Sequence, residues 1–473
     1  MKNILTLDYE TSDSRVNYGQ VLQAGIIISD ENFNIKAKHE LRCRLKSTVI
    51  PSIGACLVHK IPVNILKNSN KSHYQMVLEH YNLIKENTPT IIMGFNQTMF
   101  DLEFYRRMLF KSLLPDVYQT NTGGNAHLDI LNVSRAAKFA NDKSLKTILN
   151  EKNRPSFKLS DLSEANEIDN GESHDAITDC LNTIEIAKLV KKNSEKIWKN
   201  SMITMTKKET ENFILKNKMY TSLEYFYGSS HSFLVHHILF HPEYHWSINW
   251  DLKVNPEPYL TMDRPSLSKA LDASPKVIRT VKTNKSLVLL DHSYALKTDA
   301  YKKIGIDEIK RRIKILDDNP QFLDLISVIL SDKAKEKMSM DQSELYHEET
   351  IYQGGFASDK DKAVMRKFHE VDWKEKVNMI EKFSEERFQY FAKCLIYEES
   401  PESLPKSIFN EIHRNFAARL TSLNKEKWET IPSFFKEADD LRENKYKDDE
   451  EALQLIAEYD KYVLELKSKF EAA

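Results

Sequence analysis

Between Gln20 and Asp30 the chain reads QVLQAGIIISD, an almost unbroken apolar run of strand length. A run so short and so apolar, bounded by polar residues, fits a buried strand. It therefore has to lie inside a covered sheet. The segment before it, NILTLDYE at 3–10, alternates apolar and polar residues, as an opening strand does. KHELRCRLK at 38–46 alternates again and reads as a third strand. QMVLEHYNLIKEN at 75–87 has the spacing of an amphipathic helix, and the apolar run TIIMGFN follows it. In DAITDCLNTIEIAKLVKK, residues Ile177, Cys180, Ile184, Ala187 and Val190 recur at intervals of three and four, giving one apolar helix face. Strands first, then helices in alternation, predict an α/β domain whose mixed sheet carries helices. We place it at 1–196.

Residues 197–349 read differently. FLVHHILFHP, HWSINWDLK and KSLVLLD are short strand-like runs separated by Pro and Asn, which predicts a small β-rich domain. EIKRRIKILDDNP closes a helix before Pro320. Residues 350–473 are helical in pattern almost throughout. No window approaches 18 consecutive apolar residues, so no membrane span is expected. The first residues meet an acid at Asp8, which speaks against a secretory leader. The four Cys are scattered with no CxxC pair, so neither disulfides nor a Cys-rich zinc site are expected, and a reducing cytoplasm is. Only 11 of 473 residues are Gly, which leaves little room for Gly-rich phosphate loops. The formal charge of −2 argues against a strongly basic nucleic-acid coat protein. It does not exclude a local groove, because residues 276–314 hold 11 Lys and Arg against 4 acids, while 429–473 hold 7 against 13.

Three local patterns carry chemistry. Asp8 and Glu10 stand two apart at the end of a strand and so share one face. Two adjacent carboxylates repel, and a hard divalent cation would relieve the repulsion. The same pair also fits a solvated strand end. Gly94-Phe95-Asn96 is followed by Asp101, either a third carboxylate or an acid of a helix first turn. His174 and Asp179 flank the start of the strongly patterned helix, where Asp175 fits a helix cap.

Their order, a strand DxE, then an Asp after GFN, then HxxxxD, resembles the DEDDh exonucleases. The runs LDYET, PSIGACLVHKI, GFNQTMFDLEF, LDILNVSRA, PSFKLSDLSEANEI and SHDAITD narrow the resemblance to bacterial exonuclease I. So do FHPE at 240–243, VKTNKSLVLL at 281–290, IKILDDNPQ at 313–321 and IYQGGFASDKDKAVM at 351–365, with the last ~80 residues matching most weakly. The resemblance implies a ribonuclease H-like exonuclease domain at 1–196, an SH3-like domain at 197–349 and a helical domain at 350–473. It implies Mg²⁺-dependent 3′→5′ degradation of single-stranded DNA to nucleoside 5′-monophosphates, in repair and recombination. Asp8, Glu10 and Asp179 would bind one Mg²⁺ and Asp101 help to hold the second, with Mn²⁺ as a substitute. His174 would be the general base. Implied strand contacts are Glu10, Arg106, Arg135, Lys158, Lys282, Asn284 and Lys285; at Lys158 the family usually has Arg, whose fork binds phosphate in a bidentate way. Tyr225–Tyr227 and Phe233 offer rings for stacking or for core packing. Single-stranded DNA-binding protein is the implied partner, although Asp317 stands where a basic residue is expected and only Lys310 to Lys314 keep the basic character. A monomer is expected. Two other readings keep part of this: an RNA-directed 3′→5′ exonuclease, and a DNA-binding scaffold with a weak or dead site.

Overall fold

The computed structural model describes residues 2–169, 171, 174–339 and 345–471. The opening strand is β1, Asn3–Thr11, and the apolar run is β2, Val21–Ser29, buried at all nine positions. Their antiparallel register sets Asp8 opposite Gly25 and Glu10 opposite Gln23. The sheet is completed by β3 (Ile35–Arg42), β4 (Thr90–Gly94) and β5 (Ala126–Asp129), in the order β3-β2-β1-β4-β5. β4 and β5 run parallel to β1, which makes the sheet mixed, as its pattern predicted.

Alternation along β1 decides what each face does. Leu5, Leu7 and Tyr9 join a core with Tyr105, Met108 and Leu109 from the helix Asp101–Lys111 and with Met76 and Val77 from the helix His73–Asn87. Ile4 belongs to the opposite core, with Cys180, Ile184 and Ala187 of the helix Ala176–Asn193. Asp8 and Glu10 share this second face at the strand's carboxyl end. Gly25 lets that helix come close, since a Cβ there would fall on the Ala176 carbonyl.

A second five-stranded sheet, all antiparallel, has the order β10-β6-β7-β8-β9. It consists of β6 (Met219–Phe226), β7 (Ser229–Phe240), β8 (Ser247–Asp251), β9 (Ile278–Val281) and the short β10 (Leu290–Asp291). The helices Ile306–Asp317 and Pro320–Ser339 pack beside it, so this part of the chain is more helical than the strand-like runs suggest. KSLVLLD pairs only at its end. Val288, Leu289 and Leu290 are nonetheless buried, so their apolar character serves packing more than a ladder.

From Asp359 onward the chain is helical. Its five longest helices are Asp359–Glu370, Glu386–Glu399, Lys406–Leu420, Ile431–Asp440 and Glu450–Glu471. They share one core with Ile53, Cys56 and Leu66 of the first part, and the Tyr459 hydroxyl donates to the Ile61 carbonyl at 2.8 Å. Arg15, in the loop after β1, pairs with Glu429. The helical part is therefore docked on the first part rather than tethered to it. Among the described residues no helix is long and apolar enough to cross a membrane.

Candidate active site

The carboxyl end of β1 brings Asp8, Glu10 and Asp179 together, with ligand oxygens all within 4.8 Å of one another. Asp8 and Glu10 come from the strand. Asp179 comes from the first turn of the helix Ala176–Asn193, whose N-cap is Asp175. Asp175 accepts from the Thr178 N–H at 3.0 Å and from the Gln23 side chain at 2.9 Å. Its cap thus fixes the helix start to β2, and through it the position of Asp179. Asp101 opens its own helix, 3% exposed, and accepts a hydrogen bond from the Tyr9 backbone.

These four groups are mutually unfavourable as anions. Burial first, and then Asp101, Asp179 and Glu10, push the Asp8 carboxyl well above its ordinary range. Glu10 is pushed up to about 9 by burial, with Asp179, Asp101 and Asp175 adding to it. Asp101 is raised to about 7, by burial first and with a contribution from nearby Asp129, against opposing backbone hydrogen bonds. Burial also raises Asp179, while His174 and Asn182 oppose the shift. An all-oxygen donor set whose charges cannot coexist alone fits a hard divalent cation.

His174 stands at the open side of this cluster. It is exposed, its φ of 66° lies in the left-handed region, and its backbone N–H is bonded to the Asp179 carboxylate. The loop is thereby fastened to Asp179, and the charge of His174 acts on that carboxylate. Residues 170, 172 and 173, just before it, lie outside the described set.

Two residues of the site were not singled out from sequence. Asp129, 1% exposed, accepts from the Asn96 N–H at 3.0 Å, the Thr98 N–H at 3.1 Å and the Thr98 hydroxyl. It fastens the GFN loop that leads into Asp101. Gln23 links Glu40 to Asp175. For Asp129 the only signal is an acid inside the apolar run LDIL, which also fits its local task as cap of the following helix.

The basic residues and Asn284 expected to touch a strand fall into three groups. Arg135, Lys282 and Lys285 line a groove of about 510 Å³ between the helix Ile130–Ala140 and the second sheet, with Tyr225 and Asn132. Arg135 lies 3.6 Å above the Tyr225 ring, and Lys282 lies 4.8 Å above Trp246. Lys158 and Asn284 are exposed. Arg106 does not present itself to a groove. It is 7% exposed, pairs with Glu103 at 2.9 Å and with Asn121 at 3.1 Å, and lies against the Tyr118 ring. Lys285 also reaches Glu103, at 3.2 Å. Asp317, the unexpected acid, accepts from or pairs with His236 at 3.0 Å.

Known proteins resemble this chain in sequence and in fold. Residues 346–466 match the exonuclease I C-terminal domain model, so the final helices carry a family signal that their sequence only weakly displayed. Exodeoxyribonuclease I of Buchnera aphidicola from Schizaphis graminum is 31% identical over 198 residues, 41% of this chain and 41% of that protein's own length. Exodeoxyribonuclease I of Escherichia coli K12 is 24% identical over 485 residues, covering 97% of each. A solved structure of Escherichia coli exonuclease I in complex with a dA16 oligonucleotide has a TM-score of 0.83 at 21% identity, covering 98% of this chain and 100% of that one, a likeness of fold. Amino-terminal, full-length and carboxyl-terminal matches thus converge, and the chain is similar to bacterial exonuclease I along nearly its whole length.

Proposed function

We propose that this protein is a Mg²⁺-dependent 3′→5′ exonuclease of single-stranded DNA, releasing nucleoside 5′-monophosphates in repair and recombination in the bacterial cytoplasm. The observation that carries this is the convergence of Asp8, Glu10 and Asp179 within 4.8 Å, with Asp101 buried beside them and His174 at the open side. Asp8, Glu10 and Asp179 would hold one Mg²⁺, and Asp101 would help to hold a second; Mn²⁺ has the same hard-oxygen preference. Bound ions of this kind neutralise the charge on the attacking and leaving oxygens and acidify water.

The chain's own residues do the rest. His174 accepts the proton of the attacking water, a general-base task that imidazole side chains commonly perform. The bond from its backbone to Asp179 keeps that ring in register with the acids. Arg135, Lys158, Lys282, Asn284 and Lys285 track the backbone, while Glu10 faces the terminal nucleotide as well as the ion. A three-part division at 1–196, 197–349 and 350–473 leaves the chemistry to the first part, which also shares strand holding with the other two through Arg135 and Lys158. The protein works as a monomer, with the acidic tail of single-stranded DNA-binding protein docking near Lys310 and Lys314. Arg311 and Arg312, between them, are already engaged by Glu308.

An end-labelled single strand tests this. With Mg²⁺ the 3′ label is released at once and the 5′ label persists, while EDTA stops both. His174→Ala and Asp179→Ala abolish hydrolysis and keep strand binding. Activity in EDTA, or wild-type turnover in either variant, would overturn the assignment. Matched RNA and DNA strands distinguish the two substrates.

A further inference from the structure

We propose that Tyr227, at the tip of the β6–β7 hairpin, is a stacking platform for one base of the bound strand where the strand leaves the groove. This rests on the reading of the groove as a track for single-stranded DNA.

Four aromatic side chains cluster on this hairpin, and the structure separates their roles. Tyr225 is covered by the Arg135 guanidinium at 3.6 Å, and Phe233 by Arg279 at 3.5 Å. Phe226 lies flat on His231, with ring centres 3.9 Å apart and planes 8° apart. Each of these rings has a face already taken. Tyr227 meets Phe226 only edge-on, at 5.6 Å and 82°, and is 81% exposed. Its own faces are open.

The backbone holds it there at a cost. Phe226 pairs with Ser229, so Tyr227 and Gly228 alone make the turn, with φ of 51° and 72°. A two-residue turn with both φ positive favours Asn or Asp before Gly. An aromatic residue in that conformation is uncommon, and here it gains little packing in return. A large ring displayed on a strained turn is better explained by something it meets outside the chain.

Position says what that is. Tyr225 and Ser230 line the groove with Arg135 and Lys282, and the tip lies one residue pair beyond them. The Arg154 side chain, from the first part of the chain, packs beside Gly228. A strand following the groove therefore passes an open ring with a guanidinium beside it, which fits a base stacked next to a phosphate. Stacking needs no particular base, in keeping with a nuclease that digests any sequence.

The test uses the full-length protein in EDTA and oligothymidylate strands carrying a single 2-aminopurine at successive positions from the 3′ end. The wild-type protein should quench the probe at one position several nucleotides from that end. Tyr227→Ala should remove that minimum and weaken strand binding roughly 5- to 100-fold, and Tyr227→Phe should retain both. Tyr227→Asn, better suited to the turn, should behave like the Ala variant, which separates lost stacking from a damaged hairpin. Unchanged affinity and an unchanged quenching profile in the Ala variant would overturn the proposal while leaving the nuclease reading intact. A wild-type protein that binds no single strand would sink the groove reading and this proposal with it.

Discussion

Replacing Glu10 by Gln should stabilise the metal-free protein while destroying its activity. The Glu10 carboxyl is pushed up to about 9, by burial first and then by Asp179, Asp101 and Asp175. In the unfolded chain the same group ionises near an ordinary value of about 4.3. Between these values the folded state binds a proton that the unfolded state has released. Stability from the neutral form is therefore complete below the unfolded value and is lost as pH rises toward 9. At pH 7 the interval already crossed is about 2.7 pH units, and at 1.36 kcal/mol each this is a loss of up to about 3.7 kcal/mol. Gln is a neutral isostere, so it does not suffer this loss. Urea unfolding in EDTA should show Glu10→Gln ahead by up to that amount at pH 7, by much less at pH 5 and by more at pH 8.5. Adding Mg²⁺ should stabilise the wild-type chain, because only the folded state assembles the site, and should stabilise the variant less. A variant less stable than wild type in EDTA at pH 7, or a gap independent of pH, would refute the reasoning.

Gly25→Ala would drive a Cβ into the Ala176 backbone; unfolding should show a loss of about 1–3 kcal/mol, with lower turnover as Asp179 shifts from the strand carboxylates. Asp129→Asn removes an acceptor oxygen from the set that holds Asn96 and Thr98, and steady-state kinetics should show turnover down by up to about 100-fold with strand binding retained. Asp317→Asn removes an acid beside Lys310 and Lys314 while an amide oxygen can still accept from His236; fluorescence anisotropy should show tighter binding of an acidic tail peptide, and equal or weaker binding would count against docking there.

Periodicity made much of this fold legible. β1 and β2 fall where alternation and the apolar run put them, and the helix Ala176–Asn193 begins one residue after its expected start. Both signals arise from burial on one defined face, which local sequence records directly. KHELRCRLK was harder to place. The ladder spans Ile35–Arg42, because the chain leaves regular pairing at Cys43 while its N–H still reaches the Leu22 carbonyl. That divergence depends on the neighbour, not on the nine residues themselves. The site shows the same limit. Asp8, Glu10, Asp101, His174 and Asp179 form a recognisable order along the chain. Asp129 does not stand out, since its cap role is local but its hold on the GFN loop is made across 31 residues. Arg106 reads as a free cation in sequence although Glu103 stands three residues before it; its second partner, Asn121, lies 15 residues away.

Glu103 shows why the rest of the chain matters to the chemistry. It lies two residues after Asp101 and receives Arg106 and Arg107 from its own helix, Lys285 from the second part and the Tyr352 hydroxyl from the third. Burial alone would raise its carboxyl, but the Tyr352 hydrogen bond, Arg106, Arg107 and Lys285 outweigh it and hold the group down at about 2. A lowered folded value stabilises above the unfolded one and is lost as pH falls through about 2, so at pH 7 the contribution is present in full. The interval of about 2.5 pH units corresponds to about 3 kcal/mol. Glu103→Gln should forfeit that and leave three cations crowded around a neutral amide. Because Lys285 and Tyr352 come from the second and third parts of the chain, the change should do more than lower stability. It should loosen the second and third parts from the helix that starts at Asp101, seen as faster hydrogen exchange near Tyr352 and Lys285, with weaker strand binding. If exchange rose only within the helix Asp101–Lys111, Glu103 would be a local ion-pair partner, and the coupling of the strand-holding parts to the acids would have to run elsewhere.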